Sequence, residues 1–123
     1  MLIPAEVLRK VGPMEEDYFL YCEDLDYCCR IAEAGYSMVY APAAVVYHKV
    51  SASTGQASDT VTYYTVRNKR RILERYIAPG NRWMARGYFW LETGKRVLTG
   101  EYRRSVVKRA IKDYNNGHMG RMM

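Results

Sequence analysis

The sequence lacks several features that would assign it quickly to a class of protein. No stretch approaches the ~20 consecutive apolar residues of a membrane-spanning helix. The apolar run at residues 1–4 is too short for a signal peptide. No internal repeat, low-complexity tract or glycine-rich phosphate loop is present. We therefore expect a cytoplasmic chain whose 123 residues suffice for one domain with a modest core.

Cysteine is scarce, with only Cys22, Cys28 and Cys29. The count is odd, and no pair has the CxxC spacing of a metal or redox site. A tetrahedral zinc site needs four well-spread ligands, which this chain does not offer. We predict reduced cysteines that are buried as small apolar residues.

Phe and Trp number only two each, against twelve Tyr, so much of the aromatic surface carries a hydroxyl that needs a partner. Acidic residues are also outnumbered, at 13 against 19 Lys and Arg, which gives a net charge of +6. Such a charge suits anionic partners, namely nucleotide diphosphates, acidic lipid headgroups or nucleic acid.

Hydrophobic periodicity, caps and breakers predict the secondary structure. The first 50 or so residues read as α/β, and the chain after the Ser-rich loop at 51–58 reads as helical. The predicted helices cover Ala5 to Lys10, about Glu23 to Ala34, Asp59 to about Ile77, Arg82 to Leu98, and Glu101 to Tyr114. Two strands are predicted from Ser37 to Tyr40 and from Ala43 to His48, separated by Pro42. Gly87 and Gly94 weaken the fourth helix, so two shorter pieces are an alternative there.

Three carboxylates, Glu23, Asp24 and Asp26, stand in the first turn of the second helix. The residues alone leave two interpretations open. Acids in the first turn favour the helix dipole, and Asp26 can pair with Arg30 one turn later. Alternatively, carboxylates delivered by an apolar run form a site that must stay wet, paired or near a cation.

Short motifs along the whole chain support the second interpretation. In order, they are Val11-Gly12, Glu23-Asp24-Leu25-Asp26, Arg30, Ala34-Gly35-Tyr36, Tyr40-Ala41-Pro42, His48, the tract 49–55, Tyr63-Tyr64, Arg67-Asn68 and the tail 110–121. Together they resemble the second half of a family 2 glycosyltransferase with the GT-A fold, in its rhamnosyltransferase-like branch. The resemblance implies an α/β fold, with residues 1–57 as the acceptor-side part of a GT-A catalytic domain and residues 58–123 as a helical appendage.

The resemblance also implies an activity: inverting transfer of a sugar from a nucleotide-sugar donor to a lipid-linked or polysaccharide acceptor. Asp24 would be the general base, and Glu23 would position the acceptor or orient Asp24. His48 would help hold a divalent metal, Mn or Mg, and Lys49 would meet the diphosphate. For His48 and Lys49, a packing histidine and a solvated lysine are the alternatives.

The nucleotide-binding half of such an enzyme, with its Asp-x-Asp motif, is not recognisable in this sequence. We therefore expect an inactive fragment with no tightly bound metal and negligible affinity for nucleotide sugars. Unpaired strand edges would make it a homodimer. Arg67 and the basic flank beside it either face an anionic membrane peripherally or form a solvated helix face.

Two other functions compete with sugar transfer. One is a small basic module that binds nucleic acid through stacking aromatics. The acidic run at 23–26 and the lack of a nucleic-acid motif argue against it, and we expect no nucleic-acid partner. The other is a non-catalytic helical interaction domain.

Overall fold

The computed structural model describes residues 1–47 and 58–122. Five α-helices and two short 3-10 turns make up the regular structure of those ranges. The helices are α1 (Ala5–Val11), α2 (Glu23–Glu33), α3 (Asp59–Tyr76), α4 (Arg82–Leu98) and α5 (Arg104–Asn115), and the 3-10 turns are Glu16–Tyr18 and Pro79–Asn81. Every predicted helix is present, and α4 runs unbroken through Gly87 and Gly94.

The predicted α/β fold class is wrong for the described residues, because they contain no strand. Residues 37–40 and 43–47 are irregular, and His48 lies outside the described ranges. Their side chains are exposed, as Val39 and Val46 show at 87% and 86%. A strand needs a hydrogen-bonded neighbour and a face to bury, and the described residues supply neither to this stretch. The homodimer expectation therefore loses its basis in strand edges.

The main core lies where α3 packs against α5 and α4. Its buried members come from all three helices and the turn before α5: Tyr63, Tyr64, Val66, Leu73, Phe89, Tyr102, Val107 and Ala110. Helix α3 begins as predicted, with the Ser58 Oγ accepting a hydrogen bond from the Val61 N–H at 3.2 Å. The amphipathic pattern of α3 thus becomes the centre of the helical part.

A smaller apolar cluster joins α1 to α2 through Val7, Tyr27 and Ile31. The turn between these helices requires Gly12, whose φ is +81°. Its carbonyl accepts a hydrogen bond from the Tyr27 hydroxyl at 2.8 Å. Arg30 donates to the carbonyls of Val11 and Pro13, so residues 11–13 are anchored on α2.

No helix in ranges 1–47 and 58–122 combines the length and the apolar character required to cross a bilayer.

Candidate functional site

The residues just before α2 have an unusual backbone. We call residues 18–22 the lead-in segment. Phe19, Tyr21 and Cys22 have φ of 60°, 63° and 70°, although none is glycine. The Leu20 N–H donates to the Tyr18 carbonyl at 2.7 Å, which closes the strained form of a γ-turn around Phe19. Each such residue costs of order 1–3 kcal/mol, so the surroundings must hold the segment in place.

Asn68 of α3 holds the lead-in segment by its main chain. Its side-chain amide donates to three carbonyl oxygens: Tyr18 at 2.9 Å, Leu20 at 2.7 Å and Tyr21 at 2.8 Å. Asn68 is fully buried. Because the amide has only two hydrogens, one of them is shared between acceptors. Asn68 therefore helps to fix the path of the chain into α2.

Arg67 extends the same network. Its guanidinium donates to the carbonyls of Asp17 at 3.2 Å, Tyr18 at 3.1 Å and Gly120 at 2.8 Å, and its Nε donates to the Asn68 Oδ1 at 3.0 Å. The side chain is fully buried. The Arg67-Asn68 pair thus ties α3, the lead-in segment and the C-terminal tail together.

This burial overturns both sequence interpretations of Arg67, which were a membrane contact and a solvated helix face. The rings of Tyr63 and Tyr64 stack near its guanidinium, with centroids 5.4 and 5.0 Å away. The residues of the basic flank beside Arg67 are paired with carboxylates. Those pairs are Lys69 with Glu92, Arg70 with Glu74, Arg71 with Glu15 and Asp17, and Arg75 with Glu15.

Asp26 is the buried carboxylate of the first turn of α2. Its Oδ1 accepts hydrogen bonds from the hydroxyls of Tyr18 at 2.9 Å and Tyr76 at 2.7 Å. Arg75 lies 3.4 Å from that oxygen, and Arg30 lies 4.0 Å from Oδ2. Asp26 therefore joins α2 to α3 as well as to Arg30, its predicted partner.

Burial, and then the hydrogen bond to Asp26, raise the pKa of both Tyr18 and Tyr76 far above the ordinary 10.0. The unfolded chain releases these protons near pH 10, whereas the native state keeps them. The stability that these two protonated hydroxyls contribute is therefore complete below about pH 10 and is lost as pH rises above it.

We expect the urea midpoint of unfolding to fall steeply above about pH 10. Tyr76→Phe should flatten this dependence, and Tyr88→Phe, which changes a residue 70% exposed, should not. An unchanged slope in Tyr76→Phe would contradict the assignment.

The three cysteines are free thiols, as predicted, but they are only partly buried. Cys22, which ends the lead-in segment, has its pKa raised to about 11 by burial. It is therefore a protonated thiol at neutral pH.

Glu23 lines an open cleft of about 370 Å³ together with Met14, Glu15, Glu16 and Phe19. Its side chain is partly buried, and its Oε2 has no hydrogen-bond partner within the described residues. A carboxylate oxygen withdrawn from water without a partner costs about 1–3 kcal/mol or more. Glu23 therefore lies in the cleft wall with one carboxylate oxygen withdrawn from solvent.

Asp24, the predicted base, is exposed at the start of α2 and does not line that cleft. Its Oδ1 accepts a hydrogen bond from the Leu25 N–H at 2.8 Å, which is one of the free donors of the first turn. Asp24 thus contributes to the helix start while remaining accessible. Helix capping and a role in catalysis are both compatible with this geometry.

The other predicted site residues, His48 and Lys49, lie outside the described residues. Within the ranges that the structure describes, no group of three or more His, Cys, Asp or Glu side chains could hold a metal ion. The predicted metal site therefore stays a prediction.

Comparison with known proteins gives a partial match. No family model and no solved structure matches the chain. Over 56 residues it is 39% identical to an N-acetylglucosaminyl-diphospho-decaprenol L-rhamnosyltransferase of Mycobacterium tuberculosis. The matched stretch covers 46% of this chain and 18% of that protein. Over 43 residues it is 40% identical to the rhamnosyltransferase WbbL of Escherichia coli, covering 35% and 16%.

Part of this chain is similar to rhamnosyltransferases. The matched residues span less than a fifth of those relatives, whose names suggest a glycosyltransferase family. The sequence resemblance is therefore supported over one stretch of the chain.

Proposed function

We propose that the chain is the acceptor-binding part of a glycosyltransferase. It would transfer a sugar from a nucleotide-sugar donor, with inversion, to a lipid-linked or polysaccharide acceptor. The observation that carries the proposal is the strained lead-in segment, clamped by Arg67 and Asn68 directly ahead of Glu23 and Asp24. Backbone strain concentrates where side chains must be aimed for function. The partial similarity to rhamnosyltransferases supplies the reaction class.

The chemistry assigns different roles to the two carboxylates. An acceptor hydroxyl attacks the anomeric carbon of the donor sugar, and the nucleoside diphosphate leaves from the opposite side. Asp24 takes the hydroxyl proton as the new bond forms. Glu23 accepts a hydrogen bond from a neighbouring hydroxyl of the acceptor and holds it in the cleft.

The cleft itself suits a neutral sugar better than a phosphate. Glu15, Glu16 and Glu23 line it, and Phe19 offers an apolar face that is 48% exposed. Glu15 is paired with Arg71 and Arg75, so Glu16 and Glu23 are the carboxylates that can accept hydrogen bonds from sugar hydroxyls and that disfavour a diphosphate. The sugar end of the acceptor would lie here, and its phosphates would lie elsewhere.

The names of the relatives narrow the proposal. The mycobacterial protein is named for an N-acetylglucosaminyl-diphospho-lipid acceptor and an L-rhamnosyl donor. We extend both classes to this chain. A divalent metal, Mn or Mg, would neutralise the leaving diphosphate in the complete enzyme; His48 would help hold the metal, and Lys49 would contact the diphosphate oxygens.

The experiment is a chimera in which this chain replaces the aligned segment of the mycobacterial rhamnosyltransferase. We expect the chimera to transfer rhamnose to the relative's acceptor.

In the chimera, Glu23→Gln should raise the acceptor KM about tenfold with little change in kcat. The reason is that it weakens a charged hydrogen bond that the acceptor makes in both the ground state and the transition state. Glu33→Gln, an exposed change at the end of the same helix, is the matched control. A chimera that folds and shows no transfer, or an unchanged KM in Glu23→Gln, would refute the respective assignment.

A further inference from the structure

Helix α4 presents apolar side chains outward as well as inward. Its inner side buries Phe89 and Thr93 in the core. Its exposed large apolar residues are Trp83, Met84, Tyr88, Trp90, Leu91 and Leu98. At 3.6 residues per turn, these positions fall on one side of the helix. We call them the outer strip.

The outer strip carries no carboxylate. The one acid of α4 is Glu92, which turns inward to ion pairs with Lys69 and Arg96, both at 3.2 Å. Two basic residues of α4 are exposed: Arg86, which is paired with Glu74, and Lys95, whose helical position falls among those of the outer strip. Trp83, Tyr88 and Leu91 are 70–75% exposed. Monomeric soluble proteins rarely leave a continuous apolar surface of this kind in water, so it indicates an interaction site.

The net positive charge of the chain lies in the C-terminal part of the sequence, which contains α4. Residues 82–123 contain ten Lys and Arg against three Asp and Glu, a net +7, whereas residues 1–81 contain nine against ten, a net −1. Five exposed basic residues in this half have no ion pair within the described part of the chain: Lys95, Arg104, Lys108, Lys112 and Arg121.

A groove between α4 and α5 adjoins the outer strip. It has a volume of about 380 Å³, and its apolar lining residues are Trp90, Val107 and Ile111. Lys108 and Lys112 also line it. The groove thus combines apolar side chains with positive charge, and Trp90 belongs to both surfaces.

We propose that the outer strip and the α4–α5 groove dock onto an anionic lipid bilayer. Helix α4 lies in the interface plane, where Trp, Tyr and Leu enter the headgroup boundary. The lysines bind lipid phosphates. A second copy of the chain is a poorer occupant, because a symmetric contact would bring two strongly positive surfaces together. The proposal does not rest on the sugar-transfer activity.

Both tryptophans of the chain lie on the outer strip, so their fluorescence reports docking without a label. The probe is vesicles of equal parts phosphatidylcholine and phosphatidylglycerol, compared with phosphatidylcholine alone. We expect a blue shift and co-sedimentation with the anionic vesicles, and affinity at least about tenfold lower for the neutral ones. Added salt should weaken the binding. Brominated lipids should quench the tryptophan fluorescence. This quenching measures insertion into the bilayer without the need for a variant.

Variants separate the apolar from the electrostatic contribution. Trp83→Ser with Leu91→Ser, and separately Lys108→Glu with Lys112→Glu, should each lower vesicle affinity at least about tenfold. The matched control, Leu2→Ser with Val39→Ser, changes residues that are 98% and 87% exposed outside this surface and should bind unchanged. Circular dichroism checks that the variants keep their helices.

Three results would overturn the proposal. The first is no binding of the unaltered chain to anionic vesicles. The second is equal binding by folded Trp83→Ser/Leu91→Ser protein. The third is a stable dimer by light scattering whose tryptophans are shielded from acrylamide without lipid, because that result assigns the outer strip to a second copy.

Discussion

In the chimera described above, Asp24→Asn is expected to lower kcat about a thousandfold, in the range typical of losing a general base. The substitution keeps the shape of the side chain and its hydrogen-bond acceptor for the Leu25 N–H, but it cannot take a proton. Donor and acceptor KM should change by less than about threefold, because binding does not require proton transfer. Steady-state kinetics measure both quantities.

A matched control distinguishes the base from a helix-start carboxylate. Asp59 is the first residue of α3 and, like Asp24, an exposed acid in a first turn, where it pairs with Arg103 at 3.0 Å. Asp59→Asn should cost a similar few tenths of a kcal/mol to 1 kcal/mol of stability and leave kcat unchanged. If Asp24→Asn retains kcat within a few-fold, Asp24 is a helix-start acid only.

Removing the Asn68 amide should produce the largest loss of stability in this chain. Asn68→Ala leaves the carbonyls of Leu20 and Tyr21 and the Arg67 Nε–H without their partner, whereas the Tyr18 carbonyl keeps its other donors. At about 1–3 kcal/mol for each unsatisfied group, we expect a loss of at least about 3 kcal/mol. That is a large fraction of the ~5–15 kcal/mol of a typical domain. Urea unfolding followed by circular dichroism measures the change.

Two further variants make this result specific. Asn68→Asp has the same size but turns an acceptor toward three carbonyl oxygens, so it should be at least as destabilising as alanine. Asn81→Ala is the control, because Asn81 is exposed and makes no side-chain capping bond at the start of α4. It should change stability by about 0.5 kcal/mol or less. A loss below about 1 kcal/mol in Asn68→Ala would show that the lead-in segment does not need the amide.

The clamp was missed at the level of sequence, although a signal existed. Arg67 and Asn68 follow Tyr63 and Tyr64 by one helical turn, and those aromatics lie on the buried side of α3. A charged residue on a buried stripe must bond to something, and backbone carbonyls are common partners. Which carbonyls these are depends on contacts some 50 residues apart along the chain, and no local pattern encodes such contacts.

Sequence by itself determined the features that local interactions control. The five helices follow from apolar spacing, caps and breakers, because helical hydrogen bonds form within four residues. The acids of the first turn of α2 also follow from sequence. Tertiary structure alone decided the rest. Residues 37–47 form no strand because a strand is stabilised by distant neighbours. Glu23 lines the cleft, whereas Asp24 stays outside, because packing of the lead-in segment against α3 sets the orientation of α2.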